Sequence, residues 1–242
     1  MFLIKKKLFL LVTTGLFLIG SFSLSAQNFQ LFYDMGRWVY PKDCPERPYI
    51  TTTVELYYPD PWGNTFFFVD MDYTKKGVAS AYWQLVRELQ FWKPPVSIQL
   101  QYDGGLTNQF SFYNSFAIGP RYTYNNEDFT RSISGGILYK YIQGNMVNPH
   151  NFQLSMAWYL SFAKGLGTFK GYADFWQDPA VGKSDYAFLT KPQLWFNFNK
   201  LKGVHPDANL SLGTEIRISY NFVVPDKFMV IPTLALKWTF WE

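Results

Sequence analysis

The sequence predicts an all-β protein: a single-domain, twelve-stranded antiparallel transmembrane β-barrel. Three observations lead to this prediction. The chain begins with the layout of an export signal, aromatic residues make up 21% of it, and its segments alternate apolar and polar side chains. Alternation with a period of two is typical of a β-strand with one apolar and one polar face. An exported, aromatic-rich chain of such strands is either a soluble β-sandwich or an outer-membrane barrel.

The N-terminal segment has the features of a secretory signal peptide. Three lysines precede the apolar run 8–20, and a segment of small residues ends at Ala26. This layout predicts cleavage near Ala26, with Ser25 as the alternative. A single transmembrane anchor is the competing interpretation, but the apolar run is shorter than the roughly 20 residues that a membrane span needs. We therefore expect a signal peptide at 1–26 and the barrel at 27–242.

Charge and cysteine content exclude several classes of protein. The chain has 22 basic and 18 acidic residues, and loss of the three signal-peptide lysines leaves 19 against 18. This balance gives no indication of nucleic-acid binding. The single cysteine, Cys44, excludes a disulfide framework and lies in a polar, proline-rich loop. No later apolar run is long enough to be a membrane helix.

Twelve segments carry the strand pattern, and turn-forming residues separate them. They run nine residues or longer, as tilted membrane strands do, whereas strands of soluble proteins usually have about 5–6 residues. An even number of strands places both chain ends on the periplasmic side, with six outward loops, the longest near 37–48. The predicted strands are 28–36, 49–58, 64–73, 80–91, 96–104, 110–124, 129–142, 151–163, 168–177, 186–198, 209–222 and 228–240.

The polar face of the predicted strands carries full charges, while the opposite face is almost wholly apolar. In 151–162, large apolar residues alternate with small and amide-bearing ones, and in 62–73 Asp70 and Asp72 share a face with Phe66 and Phe68. A soluble sandwich could hide its apolar faces against each other. A barrel in lipid exposes them without a second layer. The sequence favours the barrel, with apolar side chains facing lipid and charged ones facing the lumen.

The segment 80–91 is the most ambiguous of the twelve, because Tyr82 and Leu89 also fit one face of a helix. Glu88 and the neighbouring glutamines alternate with apolar residues, which favours a strand. Arg87 then falls on the lipid face. We expect either a β-bulge or an interfacial depth at that residue.

Six of the predicted strand segments have a familiar sequence: WGNTFFFVDMDY (62–73), AYWQLVRELQF (81–91), FKGYADFW (169–176), FLTKPQLWFNF (188–198), LSLGTEIRISYNF (210–222) and IPTLALKWTF (231–240). These segments resemble strands of the nucleoside-specific (Tsx-type) channel porins. The whole mature chain is similar to an uncharacterised outer-membrane family distantly related to those porins. The resemblance implies a twelve-stranded monomeric barrel and nucleoside transport. Outer-membrane barrels typically end on an aromatic residue, whereas here Trp241 and Glu242 follow Phe240.

Residue types for catalysis or metal binding are sparse. An outer-membrane lipid hydrolase needs a serine activated by a histidine, and neither His150 nor His205 is followed two residues later by serine, as in that lipase family. With two histidines and one cysteine, a transition-metal site lacks ligands. We therefore predict no catalytic residue, no metal site and no cofactor, and keep lipid hydrolysis as a remote alternative.

The predicted lumen combines acids, bases and aromatic rings. In a narrow wet channel this lining suits small, neutral, flat polar solutes such as nucleosides, because a base stacks on a ring and a ribose hydrogen-bonds to carboxylates. The alternative is a closed structural or interaction barrel whose lumen is filled by salt bridges. The residues predicted to line the pore and bind the solute are Phe66, Phe68, Asp70, Asp72, Glu88, Tyr172, Asp174, Trp176, Lys191, Trp195, Glu215 and Arg217.

Location and partners follow from this interpretation. We expect the cell outer membrane of a Gram-negative bacterium, contact with outer-membrane lipid and lipopolysaccharide, insertion by the barrel-assembly machinery, and a monomer. The small solute is the expected ligand, and no nucleic-acid partner is expected.

Overall fold

The computed structural model describes residues 27–177 and 185–241, so the predicted signal peptide and Glu242 lie outside the described residues. Within these ranges, thirteen strand segments form one antiparallel sheet that closes on itself. Neither of the two short helices described, α1 (Gly36–Val39) and a 3₁₀ helix (Phe198–Lys200), is long and apolar enough to cross a membrane. The strands are β1 (Gln27–Asp34), β2 (Ile50–Asp60), β3 (Gly63–Thr74), β4 (Gly77–Leu89), β5 (Val96–Thr107), β6 (Ser115–Asn125), β7 (Arg131–Ile142), β8 (His150–Phe162), β9 (Gly167–Gln177), β10 (Tyr186–Thr190), β11 (Gln193–Asn197), β12 (Leu210–Tyr220) and β13 (Phe228–Trp241).

β10 and β11 are two halves of one barrel strand. Both pair with β9 on one side and with β12 on the other, and only Lys191 and Pro192 separate them. Pro192 has no N–H to donate to a ladder, while Thr190 Oγ1 and Lys191 N–H both donate to the Tyr172 carbonyl, at 2.7 and 3.1 Å. The described residues thus form the predicted twelve-strand barrel, but the continuous strand predicted at 186–198 is wrong, because it is broken at Lys191.

The barrel has two distinct rims. β1 pairs with β13, which closes the sheet and places Gln27 opposite Trp241. The rim that carries both chain ends, here called the terminal rim, also carries the connections 61–62, 90–95, 126–130, 163–166 and 198–209. The opposite rim, here called the loop rim, carries the long segment 35–49, in the region where the sequence predicts a long loop.

The apolar faces of the strands point outward. On β8, Phe152, Leu154 and Met156 are more than one-third exposed, whereas Asn151 and Gln153 are buried. Exposed apolar side chains recur on the outer face of the other strands, and buried polar ones recur on the inner face. An apolar exterior around a polar interior is the pattern of a barrel built for lipid. Of the two folds that the sequence left open, the structure is therefore the barrel and not the sandwich.

The ambiguous fourth segment is a strand. Arg87 lies on its outer face near the terminal rim, and its guanidinium donates to the Asp60 carboxylate at 2.5 and 2.9 Å and to Thr65 Oγ1 at 3.1 Å. In the described β3–β4 ladder the register shift falls between Asp72 and Tyr73, far from the arginine. Of the two expectations for Arg87, the position near the rim is therefore correct and the bulge is wrong.

Candidate functional site

A cavity of about 1380 Å³ occupies the terminal-rim half of the lumen. At the rim its lining includes Lys93, Phe129 and Lys164, and its inner end reaches Asp70 and Lys191. Because the inner face of each strand is polar, amide and hydroxyl side chains make up much of the wall. The cavity is therefore accessible to water and to small molecules from the rim that carries the chain ends.

Two ion pairs cross the lumen at the inner part of this cavity. Lys170 Nζ on β9 lies 2.6 Å from Glu55 Oε1 on β2, and Lys191 Nζ lies 3.0 Å from Asp70 Oδ2 on β3. Lys191 Nζ also lies 3.7 Å from Glu215 Oε1. Glu215 lies on β12, next to the strand that carries Lys191. In the strand order, β2 and β9 are five strands apart around the twelve-strand barrel, as are β3 and the strand that carries Lys191. The Lys170–Glu55 and Lys191–Asp70 contacts therefore connect nearly opposite walls. We call them the cross-lumen pairs, and they narrow the lumen.

The break between β10 and β11 brings the backbone at Lys191 close to β9. A Cβ atom on Gly171 would lie 2.7 Å from the Lys191 carbonyl oxygen and 2.9 Å from Pro192 Cα. These separations are shorter than non-bonded atoms tolerate, so only glycine fits at this position of β9 without displacing the chain. The sequence thus positions the lysine of one cross-lumen pair through a proline on its own strand and a glycine on the neighbouring one.

Aromatic rings line one wall of the cavity. The Phe66 and Phe68 rings are 5.9 Å apart on β3, and Phe68 is 5.9 Å from the Tyr82 ring on β4. Tyr172 and Asp174 of β9 line the same cavity. β3 and β9 are six strands apart and therefore form opposite walls. The cavity consequently presents ring faces on one side, and a phenol and a carboxylate on the other.

The structure places eight of the twelve predicted pore-lining residues on the cavity wall. They are Phe66, Phe68, Asp70, Glu88, Tyr172, Asp174, Lys191 and Glu215. The other four, Asp72, Trp176, Trp195 and Arg217, lie on the inner face of the strands but outside the cavity. Asp72 accepts hydrogen bonds from Thr51 at 2.6 Å and Ser80 at 2.9 Å, and Arg217 borders a separate void of about 10 Å³. Solute binding by any of the twelve stays a prediction.

Trp195 is part of the packed wall. It is 1% exposed and forms a cluster with Phe32 and Ala235, its ring centroid lying 6.2 Å from that of Phe32. Lys237 Nζ lies 4.8 Å from the centre of the Trp195 ring, and Trp195 Nε1 donates to Gln193 Oε1 at 3.0 Å. In this structure the ring is enclosed and its N–H is satisfied, so Trp195 packs as part of the barrel wall.

Apolar side chains pack in the loop-rim half of the lumen. Cys44, from the segment 35–49, packs against Met229 and Ile231 of β13. Burial raises the pKa of the Cys44 thiol, which therefore stays protonated and packs as a small apolar group. Trp176 forms a second cluster with inward-facing residues of β10. In the described part of the chain, the lumen is therefore open toward the terminal rim and packed toward the loop rim.

Sequence reasoning missed a row of amides on β5. Gln99 Nε2 donates to Gln101 Oε1 at 2.9 Å, and Gln101 Nε2 donates to both carboxylate oxygens of Asp103 at 3.0 Å. Gln84 on β4 adds a hydrogen bond to Asp103 at 2.9 Å, and both glutamines of the row line the cavity. The period-two spacing of Ser97, Gln99, Gln101 and Asp103 would have indicated this row, had neutral side chains been counted along with charged ones.

A closed twelve-strand barrel with an apolar exterior and a polar cavity inside defines the class: an antiparallel β-barrel with a lipid-facing outer surface. The chain belongs to the family DUF5020, a domain of unknown function, whose family model matches residues 26–240. Comparison with curated protein sequences finds no match.

Two porins are among the solved structures that are similar to the chain. The KdgM porin is 10% identical with a TM-score of 0.50, over 88% of this chain and 98% of that one. The NanC porin is 7% identical with a TM-score of 0.52, over 88% of this chain and 99% of that one. At these identities the likeness shows the fold alone. The resemblance to nucleoside-specific channels stays a prediction.

Proposed function

We propose that the protein is a narrow outer-membrane channel for small polar solutes. The observation that carries this proposal is the water-accessible cavity of about 1380 Å³ inside a barrel whose outer face is apolar. An apolar belt suits the hydrocarbon of a bilayer, and a polar lumen suits solutes that cannot dissolve in it. The secretory signal predicted at 1–26 and the fold shared with two proteins named porins support the same location and role.

The solutes that suit this lining are flat, neutral and polar, and nucleosides are the best example. Phe66 and Phe68 offer ring faces, and stacking of a base on an aromatic side chain contributes about 1–3 kcal/mol. Asp70, Asp174 and Gln101 offer hydrogen-bonding groups for sugar hydroxyls. Weak contacts at several positions along a lumen hold a solute without trapping it, and conduction requires this balance.

We propose passage without catalysis. A lipid hydrolase needs a serine hydroxyl beside its histidine. The hydroxyl beside His150 is instead that of Tyr139, whose oxygen lies 2.6 Å from His150 Nδ1. His205 lies in an exposed turn of the terminal rim beside Asp207. Neither histidine lines the cavity in the described residues, which supports a passive role and makes the lipid-hydrolase alternative remote.

A closed interaction barrel is the second candidate, and two observations favour it. The cross-lumen pairs Lys170–Glu55 and Lys191–Asp70 brace opposite walls, and apolar packing occupies the lumen near the loop rim. Buried charges of this kind have to be paired or hydrated, and a braced lumen satisfies them without any transport. In that case the exposed loops would bind a partner.

Planar-bilayer recording together with liposome swelling separates the two candidates. A channel predicts small, discrete current steps that decrease when a nucleoside is added, and swelling of liposomes in nucleoside solution. A closed barrel predicts neither. The preparation must first show the change in gel mobility between unboiled and boiled samples that marks a folded outer-membrane barrel, so that a negative result is not caused by misfolding.

A further inference from the structure

Asp174 differs from the other carboxylates of the inner cavity. Glu55, Asp70 and Glu88 each lie within 3.3 Å of a lysine or arginine nitrogen, and Glu215 lies 3.7 Å from Lys191 Nζ. Asp174 lines the same cavity and is 9% exposed, yet it has no ion-pair partner among the described residues. It is a buried carboxylate whose charge no direct partner neutralises.

One oxygen of this carboxylate also lacks a hydrogen-bond donor. Ser155 on β8 is the register partner of Asp174. Asp174 Oδ1 accepts no hydrogen bond from the described residues. A carboxylate offers about four acceptor positions, and leaving a buried one unused costs free energy. A donor supplied from the cavity would satisfy it.

The cations whose charges act on Asp174 are engaged elsewhere. Lys140 Nζ donates to Gln153 Oε1 at 2.9 Å. Arg121 Nε lies 3.3 Å from the Glu88 carboxylate. Its two terminal nitrogens donate to Gln99 Oε1 at 2.8 Å and to Ser134 Oγ at 2.6 Å. Both side chains act on the aspartate through space without forming a contact that would block it. The position beside the carboxylate therefore suits a cation that the protein itself does not supply.

We propose that Asp174 binds the ammonium group of a solute in the cavity. An ammonium group brings three N–H donors and a positive charge, and charge-assisted hydrogen bonds are about twice as strong as neutral ones. Tyr172, two residues away on the same face of β9, lines the same cavity. The inference rests on the proposed channel for small polar solutes and extends it beyond neutral ones: primary amines are held more tightly than their hydroxyl equivalents.

Glucosamine and glucose form a matched pair of probes, because an ammonium group replaces one hydroxyl at nearly constant size. Both sugars are titrated by calorimetry into the folded protein in detergent, at a pH where the amine is protonated. We expect the wild-type protein to bind glucosamine at least about tenfold more tightly than glucose. In Asp174→Asn, which keeps the shape and removes the charge, the two sugars should bind equally. Asp207→Asn removes the same charge from an exposed turn of the terminal rim, outside the cavity, and should keep the preference.

Equal binding of the two sugars by the wild-type protein would overturn the proposal, and so would a preference that survives in Asp174→Asn or disappears in Asp207→Asn. If Asp174→Asn does not assemble, the wild-type comparison of the two sugars still decides. Binding in detergent requires no conduction. A preference for glucosamine in a protein that gives no current would refute the channel and support the ammonium site. Current without this preference would support the channel and refute the ammonium site.

Discussion

Lys191 and Asp70 are 121 positions apart in the chain, yet Lys191 Nζ lies 3.0 Å from Asp70 Oδ2 across the lumen. The lysine occupies the break between β10 and β11, and its side chain is 10% exposed. Nearly opposite walls of the barrel are thereby connected at the inner end of the cavity. Whatever passes the lumen must pass this contact.

Replacing this lysine should widen the path and weaken the fold. In Lys191→Met, we expect a larger single-channel conductance, and a free energy of unfolding lower by about 1–3 kcal/mol, because Asp70 and Glu215 lose their cation. Bilayer recording and denaturant titration in lipid vesicles measure the two effects. Lys93→Met, which removes an exposed lysine from the rim of the same cavity, is the control. Equal conductance in all three proteins would contradict the narrowing role.

The ring pair on β3 should contribute to solute affinity. Phe68→Ala opens the lumen and removes a stacking surface, so current should rise and block by a nucleoside should weaken, by about 1–3 kcal/mol for one stacked base. Phe66→Ala should act in the same direction. Phe67→Ala, on the outer face of the same strand, should leave block unchanged. Block that is unaltered in both inner-face variants would exclude this wall as the binding surface.

Trp195→Ala tests whether this tryptophan supports the wall or binds the solute. The enclosed ring against Phe32 and Ala235 predicts a loss of about 3–5 kcal/mol in the free energy of unfolding, the usual effect of removing a large buried side chain. Denaturant titration measures it. A loss below about 1 kcal/mol, together with weaker nucleoside block, would instead indicate a ring that faces the solute.

Gly63→Ala should impair folding at the β2–β3 turn. Gly63 has a φ of +136°, and a Cβ there would lie 2.0 Å from the Glu88 carbonyl oxygen. Gly77 also has a positive φ, +112°, but a Cβ there would meet nothing within 4 Å. Gly77→Ala should therefore lower the free energy of unfolding only through backbone strain, by about 1–3 kcal/mol. Gly63→Ala adds the clash with the Glu88 carbonyl to the same strain. The fraction of each variant with the folded gel mobility measures the difference, and equal fractions would contradict the close approach to Glu88.

The strand positions follow from the sequence because each strand has one apolar and one polar face, and alternation makes both faces visible in a single segment. Eleven of the predicted strands match strands in the described residues, and the tenth is interrupted. The interruption was visible in Pro192, since a proline inside a strand marks a break in the ladder. The regular alternation of outward-facing aromatic residues in 186–198 made the segment look like one continuous strand and hid the break.

The cavity was less predictable than the strands. Alternation shows which side chains point inward, and it assigned Phe68, Asp174 and Trp195 to the inner face alike. It does not show which of them meet across the lumen, because that depends on contacts such as Lys170–Glu55, between residues 115 positions apart. Trp195 and Asp174 occupy equivalent inward positions in the strand pattern. Contacts with distant strands decide that Trp195 is packed and that Asp174 lines the cavity.

Single-channel recording of the wild-type protein in a planar bilayer tests most directly whether the lumen conducts. We expect small, discrete current steps that decrease when a nucleoside is added and become larger in Lys191→Met. Folded protein that gives no steps, either as wild type or as Lys191→Met, would contradict the channel and leave the closed interaction barrel as the function of this fold.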